Sequence, residues 1–309
     1  MPAAPARGRT EGPQVSFWES LSFSVVHGTG SLLLRMIGLG GLHRLGRMFG
    51  TLEWLLNGRR RRRFLGALDQ VSERPVTPGQ QRSIGREFFI RARCNKLFYL
   101  LFDRVPQETA RSLITVKNEN LLQAAVARGR GVYVALSHHG PHHVIGLLMP
   151  LRGYNIAGVR DRQEGGLRRF VQDRLDRLYP EFQRTRFLYT DSFPREIYRC
   201  FEDGYVVASA MDVSRVRDER QRKEEVTIFG ERRAFVSGPL RIALRCGAPV
   251  LQAFIVARDH FRYEVDVVDT LIDPKLEVDE DTAVRRALET YAGNVERYVR
   301  ATPSQMSRL

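Results

Sequence analysis

From Leu113 onward the chain alternates short apolar runs rich in β-branched and aromatic residues with longer stretches of helical period, and this alternation narrows the fold most. Residues 131–136 form one such run, with glycine before it and a polar cluster after it. Similar runs follow at 155–159, 205–211 and 249–257, while 261–268 alternates with Glu264 and Asp266 on its outer face. Between them, Leu167, Phe170, Val171, Leu175 and Leu178 fall on one helical face, and Arg168, Arg169, Asp173, Arg174 and Arg177 on the other. Residues 239–246 and 283–299 also read as helices. Strands alternating with helices predict an α/β layered sandwich, a central mostly parallel sheet flanked by helices, with ligands at the carboxyl ends of its strands.

The first third has a different texture. Residues 17–56 are strongly apolar, with Leu32, Leu33, Met36, Ile37, Leu39, Leu42, Leu45, Met48, Phe49, Leu52 and Leu55 at three- and four-residue spacing. His27, Arg35, Arg44 and Arg47 interrupt the stretch before ~20 uncharged residues accumulate, so a clean transmembrane helix is not expected. Gly38, Gly40 and Gly41 are expected to break the stripe in two. Directly after it come Arg59, Arg60, Arg61, Arg62 and Arg63, cations suited to an anionic membrane surface at about 1 kcal/mol each. Stripe plus run reads as a monotopic anchor, and an ordinary core-facing helix ending in a solvated charge run is the alternative.

Charge supports the same division. Lys plus Arg (49) exceeds Asp plus Glu (35) by 14, and residues 1–111 hold 18 basic and 8 acidic groups, net +10. An anionic partner therefore belongs mostly to this region. Nucleic acid is not the expected partner, because no helix-turn-helix, zinc-finger or aromatic RNA-binding pattern accompanies the arginines. The resulting division is a flexible tail over 1–16, a helical membrane-associated region over 17–111, punctuated by Pro75, Pro78 and Pro106, and an α/β domain over 112–309. The opening residues lack an apolar stretch with a small-residue cleavage site, so no cleaved signal peptide is expected. Cys94, Cys200 and Cys246 are too widely spaced for a disulfide frame and point to a reducing compartment.

The run 131–136 leads into Ser137-His138-His139-Gly140-Pro141-His142-His143, four imidazoles in six residues at the carboxyl end of a predicted strand. As a metal site these imidazoles lack a nearby cysteine or carboxylate at a zinc-like spacing. Some could serve structure only, capping the following helix, and for His139 and His142 this is the better reading. As a general base, one imidazole would need a partner to fix its tautomer.

The run His138-His139-Gly140-Pro141-His142-His143 resembles the H-x4-(D/E) motif of the lysophospholipid acyltransferase superfamily, in the form used by its lipid A late-acyltransferase branch. The likeness extends along the chain: Val159-Arg160 resembles that branch's Tyr-Arg strand end, and Gly204 through Met211-Asp212 its glycine-to-Asp-Gln segment. Phe229-Gly230, Ser237-Gly238-Pro239 and Gly247-Ala248-Pro249-Val250 resemble its Phe-Gly, Gly-Pro and Gly-Ala-Pro-Val signatures. The resemblance implies transfer of a fatty acyl chain from an acyl carrier protein or coenzyme A thioester to a hydroxyl or amine of a glycolipid acceptor. It implies no metal and no cofactor, and a peripheral or monotopic place on the cytoplasmic face of a bacterial inner membrane. His138 matches the catalytic base, and Gly140, Arg160 and Asp212 match substrate-binding positions, Arg160 with a guanidinium fork suited to phosphate.

The sequence departs from the family at a decisive place. Where the motif has its carboxylate this chain has His143, with Pro141 and His142 before it, and Val213 follows Asp212 in place of glutamine. After Pro303 the tail Ser304-Gln305-Met306-Ser307-Arg308-Leu309 also lacks the branch's Trp and basic-aromatic ending. Three outcomes stay open within one fold: a His138–His143 dyad, recruitment of Asp161 or Asp212 as the orienting acid, or lipid binding without turnover.

Overall fold

Helices come first. In the computed structural model, which describes residues 17–160, 166–189, 193–212, 222–276 and 279–306, the N-terminal layer consists of α1 (Phe17–Leu56), α2 (Gly58–Val71), α3 (Pro78–Leu101) and α4 (Gln107–Ser112). The body continues through β1 (Ile114–Lys117), α5 (Glu119–Val126), β2 (Val132–Leu136), α6 (His142–Leu151), β3 (Ile156–Arg160), α7 (Gly166–Leu178), β4 (Arg186–Tyr189), α8 (Phe193–Glu202) and β5 (Val206–Ala210). It ends with β6 (Lys223–Ile228), β7 (Glu231–Val236), α9 (Gly238–Arg245), β8 (Val250–Ala257), β9 (Tyr263–Ile272), α10 (Glu280–Ala301) and a 3-10 turn at Pro303–Gln305.

The central sheet has the order β1-β9-β8-β2-β5-β3-β4. From β8 to β4 every pairing is parallel, β9 runs antiparallel to β8, and β1 follows β9 in parallel. Every residue of β2 and of β8 is buried, the near-continuous apolar pattern of strands covered on both faces. β9 instead alternates over its first half, with Glu264 and Asp266 the more exposed, as its sequence predicts. The α/β layered sandwich with a mostly parallel sheet is thus the observed architecture. Phe229-Gly230, matched above to a family signature, is the two-residue turn of the β6–β7 hairpin, both residues at positive φ.

α3 begins at a capping box, the Thr77 hydroxyl accepting from the Gln80 amide while the Gln80 side chain accepts from the Thr77 amide, with Pro78 in the first turn. α1 packs along it. A Cβ on Gly50 would lie 2.4 Å from the Ile90 Cα, so glycine is what lets the two helices approach this closely. Nearer its start, α1 is tied down by buried His27, whose Nε2 lies 2.7 Å from an oxygen of Asp103, itself paired with Arg174 of α7 at 3.0 Å.

Two expectations for this layer change. By length and composition α1 passes as a helix able to cross a membrane, contrary to the reading from its interrupting charges, but Gly38 (φ 65°, ψ −179°) breaks it near its middle. The arginine run does not face outward as a block. Arg61 Nη1 donates to the Trp54 carbonyl at 2.9 Å, closing the C-terminus of α1, and Arg60 pairs with Glu53 at 2.7 Å while lying over the Phe89 ring. Arg59, Arg62 and Arg63 are the exposed members.

Candidate active site

The chain leaves β2 at Leu136 and makes one turn, Ser137 to Pro141, before α6 begins at His142. β5 is the parallel neighbour of β2, with Leu136 opposite Ala210. Two residues beyond that pair stand His138 and Asp212, so the shared register carries imidazole and carboxylate out of the sheet side by side. The His138 amide donates to both Asp212 oxygens, at 2.9 and 2.8 Å, and His138 Nδ1 lies 2.9 Å from Oδ1. Both side chains are mostly enclosed, His138 13% and Asp212 12% exposed. A carboxylate can only accept, so Nδ1 carries the hydrogen and the lone pair falls on Nε2, the tautomer a general base needs.

The other three imidazoles have different settings. His139 is buried; its Nε2 lies 2.9 Å from the Thr302 hydroxyl and 3.2 Å from the Thr302 carbonyl, and burial pushes its pKa down to about 4. The His142 ring meets His138 edge to face at 5.1 Å and His143 at 5.8 Å. His143 packs on Tyr99 of α3 at 5.2 Å, and desolvation, then the cations Arg168 and Lys96, push its pKa down to about 3.

Three expected site residues have settings other than those the resemblance implies, and the first is Asp212, expected to bind substrate and here paired with His138. His143 was expected as a catalytic partner, but the group at His138 Nδ1 is Asp212, while the neutral His143 ring faces α3. Gly140 was expected to bind substrate, but its amide donates to the Gln305 carbonyl at 2.7 Å. A Cβ there would sit 1.7 Å from the Ile255 carbonyl oxygen, at a φ of +77°, so the position requires glycine to let the turn lie on β8.

Arg160 ends β3, its backbone opposite Tyr189, at the same end of the sheet and one strand beyond β5; its side chain, like Asp161 and Val213, lies outside the described residues. Among the described residues no group of three or more His, Cys, Asp or Glu side chains could hold a metal ion. An open groove of about 790 Å³ runs between α1 and α3, its apolar wall formed by Phe49, Leu52, Leu56, Leu97, Leu100 and Leu167. Arg59, Arg93 and Lys96 line it too, and His138 is not among its lining residues. Desolvation, with Arg93 and Arg60 beside it, holds the Lys96 ammonium below its ordinary range.

Sequence reasoning missed three residues of the surroundings: Thr302, Gln305, and Tyr291, whose hydroxyl donates to the Leu136 carbonyl at 2.8 Å just before the turn. The departure at Pro303 marked that part of the chain without showing what it does. Neither the known family models nor the curated proteins contain a match to this chain.

Proposed function

We propose that the protein is a membrane-associated acyltransferase in which His138, oriented by Asp212, is the general base. The observation that carries this reading is the 2.9 Å approach of His138 Nδ1 to Asp212 at the carboxyl end of adjacent parallel strands. The base takes the proton of an acceptor hydroxyl or amine as that atom attacks the carbonyl of an acyl thioester. A carbon–oxygen or carbon–nitrogen bond forms, the carbon–sulfur bond breaks, and the proton passes from the imidazolium to the departing thiolate of acyl carrier protein or coenzyme A. Asp212 stabilises the imidazolium in between; converting such an acid to its amide in a comparable triad costs ~10⁴ in rate.

The membrane half of the reading rests on α1. Its docked side buries Leu42 and Trp54 beside His43, Gly46 and Gly50, whereas Met48, Phe49, Leu52, Leu55 and Leu56 stay exposed, more apolar surface than a helix packed only into a core leaves outside. A helix docked along the body with an apolar outer face suits insertion into one leaflet, with Arg59, Arg62 and Arg63 at the headgroups. Acceptors dissolved in that leaflet are amphiphiles, of which a glycolipid is the class expected from the resemblance.

The test is transfer of labelled acyl chains from acyl carrier protein or coenzyme A to a panel of membrane lipids by the full chain. Labelled lipid with wild type and none with His138→Ala is the expected result. A second reading, lipid binding without turnover, is favoured by the groove, whose lining does not reach His138. Lipid retained by wild type and by His138→Ala alike, with no labelled product from either donor, would replace the first reading with the second.

A further inference from the structure

We infer that residues 302–306 belong to the active site, with Thr302 and Gln305 as positioning residues that hold the turn carrying His138; this rests on the reading of His138 as the base. The turn is not held by regular structure. On the β5 side it is fixed by Asp212, which takes the His138 amide and ring. On the β8 side its hydrogen bonds from His139 and Gly140 go to the end of the chain, to Thr302 and Gln305, more than 150 residues away.

Gln305 joins the two. Its side-chain amide takes both backbone groups of Ala257, the last residue of β8: Oε1 accepts from the Ala257 amide at 2.8 Å and Nε2 donates to its carbonyl at 3.2 Å. An amide is the group that can donate and accept in this way at one residue. With the side chain anchored, the Gln305 carbonyl accepts the Gly140 amide at 2.7 Å. Next to it, His139 and Met306 form an isolated antiparallel bridge, and the Met306 side chain is buried.

Thr302 makes the second hold. A carbonyl can only accept, so the approach of His139 Nε2 to the Thr302 carbonyl places the hydrogen on Nε2. The Thr302 hydroxyl then accepts from the same nitrogen and donates its own hydrogen to the Tyr298 carbonyl at 3.1 Å. His139 and Gly140 directly follow His138 in the chain, so each hold limits where the base can point. Displacement of a catalytic group by about 1 Å is enough to cost ~10²-fold in rate.

The experiment uses the full chain in lipid nanodiscs, with Gln305→Ala, Thr302→Val and the hydroxyl-retaining Thr302→Ser. Two readouts are taken: amide hydrogen exchange by peptide, and the kcat and KM of acyl transfer. Gln305→Ala and Thr302→Val are expected to raise exchange about tenfold over 137–141, with Gln305→Ala also raising it at Ala257 and the rest of the chain unchanged, and to lower kcat about tenfold with the KM for donor unchanged. Thr302→Ser is expected to stay close to wild type in both. Unchanged exchange in the turn, a rise spread evenly along the chain, or a loss confined to KM would overturn the inference. If wild type transfers no acyl group to any acceptor, the acyltransferase reading fails, and exchange over 137–141 still decides whether the tail holds the turn.

Discussion

The α/β body and the N-terminal helix α1 sort the same kinds of residue in opposite ways. In the body, β2 and β8 bury every side chain, and Phe254, Tyr263 and Tyr291 are almost wholly enclosed. In α1, Trp18, Met36, Met48, Leu52, Leu55 and Leu56 face outward, while glycines, His27, His43, Leu42 and Trp54 line the docked side. The body's apolar content therefore holds a fold together, whereas α1 commits Leu42 and Trp54 to the core and leaves its outer apolar face without cover among the described residues.

The contrast predicts that changes in the body alter stability or chemistry, and changes on the outer face of α1 alter membrane binding alone. The largest expected effect is in the body. Gly140→Ala drives a Cβ into the Ile255 carbonyl at a left-handed backbone position, so a loss of about 4 kcal/mol, read as a shift in urea midpoint, is expected. A midpoint within error of wild type would show that the turn does not lie on β8.

Next comes a pH effect centred on the body, to which buried His43 of α1 adds in the same direction, its pKa also lowered by burial. An unfolded imidazole titrates near 6.5, and burial lowers that of folded His139 to about 4. Between these values the unfolded chain binds a proton that the native state does not, so stability falls as pH drops through that window and is level above it. The drop is about 3 kcal/mol from this group, and His139→Gln should flatten that part of the slope in urea titrations between pH 4 and 7. A wild-type slope retained in the variant would assign the proton elsewhere, with His143 the next candidate.

On α1, the double variant Leu52→Gln and Leu55→Gln is expected to weaken vesicle binding about 50-fold without moving the urea midpoint, because both side chains are exposed in the folded protein. A lowered midpoint with unchanged vesicle binding would make α1 an ordinary packed helix. Smallest is the charge effect: Arg62→Gln and Arg63→Gln should each cost about fivefold on anionic vesicles, little on neutral ones, and less at high salt. Arg61→Gln should act differently, lowering stability through the lost cap on Trp54.

The same contrast explains what the sequence made legible. Body strands with dense apolar runs, at 131–136 and 249–257, stand out because both faces are buried. β1 and β4 do not, being four-residue strands at the sheet edges that carry Lys117 and Arg186. The β6–β7 hairpin is masked by its charges, among them Glu224, Glu225, Arg232 and Arg233. His138 and Asp212 were each visible as residues, but their pairing depends on the register of two strands 74 positions apart, which no local pattern encodes. The arginine run showed its charge and not its internal partners, since Trp54 and Glu53 meet Arg61 and Arg60 only once α1 and α2 fold against each other. Thr302 and Gln305 were illegible for the same reason: their contacts with the turn are long-range and largely to backbone atoms.

The central claim is that Asp212, and not residue 143, orients the base. Single-turnover acyl transfer by Asp212→Asn and by His143→Glu, measured against wild type, tests it most directly. A fall of about 10³- to 10⁴-fold for Asp212→Asn, with His143→Glu giving little gain, is the expected result. Wild-type rates in Asp212→Asn, together with a large gain in His143→Glu, would contradict it.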